Sequence, residues 1–183
     1  MDPRPVQFSL AVVTSADGFI AKAPDHAPQD WASPEEQTLF FEAVDAADWA
    51  IMGRHTHEAA DKPHRRRIIL STRTSGWQRP TQLWLDPDGM SPRDLAARVA
   101  HIHPLERGLV LGGTRVHDWF HDADALDQVL LTVEPVRFGQ GLPIFSDQQH
   151  EDPVSVFRNR GYQIRSERRL NAHGTRLLTF ARR

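Results

Sequence analysis

The stretch from residue 108 to residue 120 constrains most strongly what this chain can fold into. It opens with an apolar run at residues 109–111, whose length and β-branched centre predict a buried strand. Gly112 and Gly113 follow at once, and Thr114 can cap a helix beyond them. Residues without a Cβ let an anion approach the backbone, where the N–H groups of the first helical turn point at it. The stretch is either an anion site or a tight turn without a ligand, and it lacks the spacing G-x-G-x-x-G.

Strand and helix patterns alternate over residues 6–121. Short apolar runs predict strands at residues 6–13, 49–52, 68–70, 83–85 and 109–111. Ser33 and Ser91 are each followed by proline and acidic residues, the signature of a helix start. The helices so predicted cover residues 33–46 and 91–102. This alternation predicts an α/β fold whose sheet is mostly parallel, with helices on both faces.

The pattern changes in the last third of the chain. A glycine- and proline-bearing loop is predicted at residues 135–143, and a turn at residues 171–174. Extended structure is predicted at residues 128–134, 154–157, 162–164 and 175–181. These segments predict an antiparallel hairpin added to one edge of the sheet. With no repeat and no linker, we expect residues 1–183 to form one domain.

Polar or glycine-bearing segments directly follow several of the predicted strands. They are Asp17-Gly18, Gly53-Arg54-His55-Thr56, Ser71-Thr72-Arg73 and Gly112-Gly113-Thr114-Arg115. Ligands of open α/β sheets bind beyond the carboxyl ends of the strands, so we expect these segments to share one crevice. All but the first carry arginine, hydroxyl or exposed backbone donors suited to phosphate. Asp17 is either a carboxylate of the site or an Asx-turn residue.

Composition excludes several classes of function. The formal net charge of -2 argues against a general nucleic-acid binder, and the absence of cysteine excludes disulfides and thiolate metal sites. No apolar run approaches the roughly 20 residues of a membrane helix, and no signal-peptide pattern is visible, so we expect a cytoplasmic protein without membrane partners. The pairs His55/His57 and His101/His103 have no acidic partner at metal spacing, so we expect no metal.

Five segments in this order resemble a known family. They are residues 15–21 (SADGFIA), 51–56 (IMGRHT), 68–71 (IILS), 110–113 (VLGG) and 138–145 (FGQGLPIF). They resemble the dihydrofolate reductase fold, and most closely its branch found as the C-terminal reductase domain of the riboflavin-biosynthesis protein RibD. The resemblance covers nearly the whole chain. It implies a three-layer dihydrofolate reductase-like fold with a mixed, mostly parallel sheet, helices on both faces and a C-terminal antiparallel hairpin.

The resemblance implies NADPH as the hydride donor. The cofactor contacts that it implies are Ala11, Gly53, Arg54, Thr56, Ser71, Thr72, Arg73, Leu111, Gly112, Gly113, Thr114, Arg115 and Val116. Residues 112–116 would hold the pyrophosphate, and residues 71–73 would bind the adenosine 2′-phosphate. The nicotinamide would lie near Ala11 and the Asp17 loop. The bond between the two glycines of the pair is often cis in this fold.

The substrate depends on one position of the first helix. Folate reductases carry an acid there, and counting back from Met52 without a gap places Gln37 at it. Glutamine cannot supply a proton, which favours the RibD-like branch. That branch implies reduction of the ribosyl group of a pyrimidine nucleotide, as in a 5-amino-6-(5-phosphoribosylamino)uracil reductase. In this interpretation Asp17 contacts the substrate or supplies the proton, and Trp31 and Gln37 line the pocket.

Two alternatives stay open. The first is a dihydrofolate reductase that uses Glu36 after a shift of register by one residue. The second is an NADPH-binding protein that has the fold but no turnover. The resemblance also implies a homodimer, for which the C-terminal strands and the loop at residues 139–143 are the expected contacts.

Overall fold

The computed structural model describes residues 4–149 and 151–183, which are built around a nine-stranded sheet. The strands are β1 (Gln7–Thr14), β2 (Phe19–Ala21), β3 (Trp49–Gly53), β4 (Arg67–Leu70), β5 (Gly76–Arg79), β6 (Gln82–Leu85), β7 (Arg107–Gly112), β8 (Gln128–Val133), β9 (Leu142–Pro143), β10 (Tyr162–Arg169) and β11 (Arg176–Arg182). The helices are α1 (Pro34–Ala46), α2 (Arg54–Ala59), α3 (Leu95–Val99), α4 (Thr114–Asp122) and α5 (Pro153–Arg158), besides 3-10 turns at Pro28–Asp30 and Pro92–Asp94.

The large sheet has the strand order β10-β11-β8-β1-β7-β3-β4-β6-β5, while β2 and β9 form a small second sheet. The central pairings from β8 to β6 are parallel. The pairings of β11 with β8, of β10 with β11 and of β5 with β6 are antiparallel. The predicted mostly parallel sheet with a C-terminal antiparallel hairpin is therefore confirmed, and β10 and β5 are its outer strands.

Helices cover both faces of the sheet, as predicted. Val129 and Leu131 of β8 belong to the main core, together with apolar side chains of α3, α4 and α5. The alternate residues, Leu130 and Thr132, face α1 on the other side. Because successive side chains of a strand point to opposite faces, one strand contributes to both layers.

The start of α1 follows the sequence signal closely. Ser33 is its N-cap and accepts a hydrogen bond from the Glu36 backbone N–H at 3.3 Å. Pro34 occupies the first helical position, and the helix ends at Ala46 as predicted. These local signals fix the position of Glu36 in the first turn.

The extended structure predicted at residues 154–157 is wrong, because these residues lie in α5. Asp152 caps that helix by accepting from the N–H groups of Val154 and Ser155. Its buried residues are Pro153, Val156 and Phe157, a spacing of three and four that fits a helix. The alternation of apolar and polar residues at 154–157 hid this spacing.

The helix predicted at residues 91–102 is shorter than expected. It consists of the 3-10 turn Pro92–Asp94 followed by α3, which ends at Val99. In residues 4–149 and 151–183 no helix combines the length and the apolar character needed to cross a bilayer.

Candidate active site

The segments after β3, β4 and β7 meet at one edge of the sheet. In the parallel register Gly53 lies opposite Leu70, and Met52 lies opposite Gly112. A Cβ placed on Gly53 would lie 3.9 Å from the backbone nitrogen of Gly113. The Gly53 turn and the glycine pair are thus direct neighbours, and residues 71–73 follow one strand further along.

The N-terminus of α4 opens into free space at this edge. α1 and α5 have side-chain caps, whereas α4 begins at Gly113 with no side-chain hydrogen bond to its first turn. The first N–H groups of the helix, those of Thr114 and Arg115, precede its internal hydrogen bonds. A Cβ on Gly113 would meet no heavy atom within 4 Å. An uncapped helix start with open space before it suits an anion such as phosphate.

The His117 ring packs against the backbone of Gly112. Its φ is +106°, and a Cβ there would lie 2.8 Å from the His117 Nε2 atom, so only glycine fits without rearrangement. The Gly112–Gly113 peptide bond is cis, as the resemblance implied. Burial lowers the pKa of His117 to about 4, so its imidazole is neutral at physiological pH. Its Nδ1 lies 2.8 Å from the Ile144 carbonyl oxygen, to which the neutral ring donates.

Thr114 also binds the segment after β9. Its hydroxyl donates to the Pro143 carbonyl oxygen at 2.6 Å. Thr114 and His117 together hold residues 143–144 against α4. A phosphate at this helix start is therefore offered the Thr114 N–H, while the hydroxyl is already engaged.

The predicted arginines differ in their availability. Arg54 Nη1 donates to both carboxylate oxygens of Glu58, at 3.2 and 3.1 Å, so an anion must share or displace this pair. The backbone N–H of Arg73 donates to the Ser71 hydroxyl at 3.1 Å. The Arg73 side chain is exposed and forms no ion pair with any residue in the described part of the chain.

The remaining predicted cofactor contacts lie in these turns or in the elements next to them. Thr56 lies partly buried on α2, and Thr72 is exposed after β4. Leu111 packs against a small apolar cluster on the sheet, and a Cβ on Gly53 would lie 3.5 Å from a methyl carbon of Val116. Whether each of these residues touches a cofactor stays a prediction.

A cavity of about 260 Å³ lies between α1 and the sheet. Its lining residues are Ala11, Val12, Glu36, Leu39, Phe40, Glu42, Ala43, Leu130, Thr132 and Leu177. Leu10 pairs with Val110, so Ala11 lies at the level of Leu111, one residue before the glycine pair. The cavity thus includes a residue of the strand that pairs directly with β7, and β7 leads into the open start of α4. Trp31 and Gln37 are absent from its lining.

Glu36 brings a carboxyl group to this cavity. The residue is only 7% exposed, and no residue in the described ranges donates a hydrogen bond to its carboxyl. Burial and, second, the negative charge of Glu134 raise its pKa to about 7. Glu36 therefore keeps its proton to a higher pH than an ordinary glutamate does. Gln37, by contrast, donates from Nε2 to the Ala32 carbonyl oxygen at 3.2 Å.

Trp31 belongs to an aromatic cluster where two loops meet. Its ring centroid lies 5.0 Å from that of Phe138 and 6.0 Å from that of His26. Its Nε1 atom is buried without a hydrogen-bond partner among the described residues. Trp31 therefore packs the loop that precedes α1 against residues 135–143, and its contact with a substrate stays a prediction.

Asp17 connects the loop after β1 to the loop at residues 135–143. Its carboxylate accepts from the backbone N–H groups of Phe138 at 3.1 Å and Gly139 at 2.8 Å. Partial burial would raise its pKa, but hydrogen bonds from Ser15, Gly139 and Phe138 outweigh that effect and hold the pKa below its usual value. An ionised carboxylate of this kind is a poor proton donor at neutral pH, although substrate contact by Asp17 stays a prediction.

The histidine pairs have other partners. His57 is buried, with Nδ1 3.0 Å from Arg67 Nη1, and His103 Nε2 lies 3.8 Å from an Asp48 oxygen. Within residues 4–149 and 151–183 no three histidine or carboxylate side chains are grouped as metal ligands.

Sequence reasoning did not identify Glu134, and it kept Glu36 only as the acid of an alternative function. The signal for Glu36 was present, because a Ser-Pro-Glu-Glu helix start places it in the first turn beside the cap. Counting back along the chain without a gap ignored this cap and selected Gln37 instead.

Comparison with known proteins supports the fold. No protein-family profile matches the sequence, and no curated protein does. A protein from Shewanella sp. PV-4, described as a riboflavin biosynthesis protein, is similar with a TM-score of 0.71 at 17% identity, covering 97% of this chain and 99% of its own. A diaminohydroxyphosphoribosylaminopyrimidine deaminase/5-amino-6-(5-phosphoribosylamino)uracil reductase from Thermotoga maritima gives a TM-score of 0.68 at 17% identity. The superposition covers 98% of this chain but only 57% of that longer protein. The chain therefore has the fold of the RibD C-terminal domain.

Proposed function

We propose that the protein is an NADPH-dependent reductase that acts on a pteridine- or pyrimidine-related small molecule. One observation carries the proposal: the buried Glu36 carboxyl lines a cavity that includes Ala11 of β1, and β1 pairs with β7, the strand that leads into the open start of α4. A reductase of this kind requires both a phosphate site and an acid that can supply a proton.

The residues at the sheet edge fit a dinucleotide that carries an additional phosphate. The open space at Gly113 and the uncapped start of α4 suit its pyrophosphate. The exposed Arg73 is available to its 2′-phosphate, and Arg54 can add a second contact. When bound, NADPH supplies a hydride from its nicotinamide. The chain's own task is to hold the ring beside the cavity and to exclude water.

Glu36 supplies the proton in this proposal. Reduction of a C=N bond adds a hydride to carbon and a proton to nitrogen. A carboxyl group with a pKa of about 7 can give that proton to the substrate nitrogen at neutral pH. Glu36 is then left as a carboxylate and recovers a proton from water after the product leaves.

The position of Glu36 strengthens the second candidate substrate, dihydrofolate. The sequence argument against folate depended on Gln37 occupying the acid position. Glu36 reaches the cavity instead, so that argument no longer applies. The two substrates to compare are therefore dihydrofolate and 5-amino-6-(5-phosphoribosylamino)uracil.

The test is NADPH oxidation with both substrates side by side, together with equilibrium titration of NADPH. Glu36→Gln should abolish at least 90% of the turnover and leave NADPH affinity unchanged. Gln37→Ala is the matched control and should retain turnover. NADPH binding without turnover of either substrate would favour a binding protein, and no NADPH binding at millimolar concentration would refute the proposal.

We also propose the homodimer that the resemblance implies, with residues 139–143 among its contacts. Light scattering at micromolar concentration tests this directly. A monomer under these conditions would contradict it.

A further inference from the structure

Glu134 is a second buried carboxyl group beside Glu36, and the function proposed above does not use it. It follows β8 directly and is 4% exposed. Among the residues that the structure describes, no lysine, arginine or histidine forms an ion pair with Glu36 or Glu134. Two carboxyl groups buried together without a cation cannot both ionise at low cost.

Hydrogen bonds distinguish the two carboxyl groups. Glu134 Oε1 accepts from the Ser33 backbone N–H at 2.8 Å, and Oε2 accepts from the Thr175 hydroxyl at 2.7 Å. No residue in the described ranges donates to the Glu36 carboxyl. Donors to a carboxylate stabilise its ionised form, and the negative charge of Glu134, after burial, raises the pKa of Glu36.

Glu134 also holds the turn that carries Glu36. The Ser33 N–H binds Glu134, while the Ser33 hydroxyl accepts from the Glu36 N–H at 3.3 Å. A side chain after β8 is thereby linked through the N-cap of α1 to the residue that lines the cavity. Displacing Glu134 would alter both the position and the electrostatic surroundings of Glu36.

The other charged groups near the cavity do not replace this effect. Glu42 lines the cavity from the same helix but is exposed, and Glu35 accepts from Asn171 Nδ2 at 3.3 Å on the outer side. From β11, Arg176 lies next to the cavity residue Leu177, and its Nη1 is paired with Glu167 at 2.8 Å. The residues of β1 and β8 that line the cavity carry no charge.

We propose that Glu134 is the positioning residue of this site: as a hydrogen-bonded carboxylate it fixes Ser33 and keeps the proton on Glu36. Its consequence for catalysis rests on the proposed function, whereas the protonation of Glu36 is a property of the chain itself. A substrate therefore meets a carboxyl group that can still donate a proton at a pH where an ordinary glutamate is ionised.

The test measures the protonation of Glu36 without requiring turnover. Carbon-13 NMR of labelled glutamate carboxyl groups follows the titration, with Glu36→Gln to assign the signal. Glu134→Gln keeps an oxygen acceptor for Ser33 but removes the charge, and should lower the titration midpoint of Glu36 by at least one pH unit. Thr175→Val removes one hydrogen-bond donor from Glu134. It should also lower the titration midpoint of Glu36, but by less than Glu134→Gln does. Glu35→Gln removes an exposed charge from the same turn and should change the midpoint by less than about 0.3 pH units.

The result that overturns the proposal is a Glu36 midpoint that moves by less than 0.3 pH units in both Glu134→Gln and Thr175→Val. Because two variants are used, a failure of one to fold leaves the other to decide. If turnover is found, the alkaline limb of the kcat profile in Glu134→Gln should move to lower pH by the same amount, with NADPH affinity unchanged. If the NMR shift occurs but no substrate turns over, the proposed function fails while the role of Glu134 stands.

Discussion

Glu36 and His117 should give this protein two opposite dependences of stability on pH. The pKa of Glu36 is raised from 4.5 to about 7, so its stabilising effect is complete below pH 4.5 and is lost as the pH rises through 7. The pKa of His117 is lowered from 6.5 to about 4, so its effect is complete above pH 6.5 and is lost as the pH falls through 4. At about 1.4 kcal/mol per pH unit, a difference of about 2.5 pH units corresponds to about 3 to 4 kcal/mol for each group. The two effects largely cancel in the wild-type protein between pH 4.5 and 6.5.

Single substitutions should uncover each effect. The free energy of unfolding of Glu36→Gln minus that of the wild type should increase by about 3 kcal/mol as the pH rises from 4.5 to 8. His117→Asn, which keeps a donor for the Ile144 carbonyl, should show the reverse, with its relative stability falling by about 3 kcal/mol between pH 4 and 7.

Urea unfolding followed by circular dichroism at each pH measures these differences. Differences between variant and wild type cancel the contributions of all other titrating groups. Gln163→Asn, at an exposed position of β10, changes no titratable group and is the control, so its difference from the wild type should not change with pH. If the differences for Glu36→Gln and His117→Asn also stay constant within about 0.5 kcal/mol, the assignment of these two groups as buried and neutral is wrong.

Further predictions concern the turns and loops around the site. Arg73→Ala should weaken NADPH binding by about 10- to 100-fold and leave NADH binding unchanged in calorimetry, because only NADPH has the phosphate that Arg73 is proposed to bind. Asp17→Ala should lower the melting temperature by about 5 °C and reduce turnover while NADPH affinity stays within about twofold, since two backbone N–H groups lose their acceptor. Gly141→Ala should cost more than about 2 kcal/mol in urea unfolding, because its Cβ would lie 2.1 Å from the Ala21 carbonyl oxygen. Gly161→Ala, whose Cβ meets no atom within 4 Å, should cost about 1 kcal/mol through its left-handed backbone alone. Equal losses in the two glycine variants would contradict the close approach at Gly141.

The elements with strong local signals were predictable from the sequence. The Ser33-Pro34 start fixed the beginning of α1, and uninterrupted apolar runs marked the central strands because their side chains are buried on both faces. α5 was missed because residues 154–157 alternate in polarity, while the cap that decides the matter lies outside them at Asp152. Local patterns therefore sufficed where a cap or an apolar run was complete within the segment.

The electrostatics of the candidate site depended on contacts that no local pattern contains. Glu134 reaches Ser33 across 101 positions of the chain, and this contact exists only because β8 ends beside the start of α1. Asp17 similarly meets Phe138 and Gly139 from 121 and 122 positions away. A carboxylate after a strand predicted a site at this edge, but which carboxyl group holds a proton depends on the folded surroundings.

The outer strands of the large sheet decide how two copies of this protein can associate. β10 exposes Arg165, Arg168 and Arg169 along its length, and β5 at the opposite end has four residues. Like charges along a free strand repel a second copy that approaches side by side, and a strand of four residues offers few backbone partners. These features disfavour the joining of two sheets edge to edge through β10 or β5. In the proposed homodimer we therefore expect the loop at residues 139–143 to contribute more than the outer edge of the C-terminal strands.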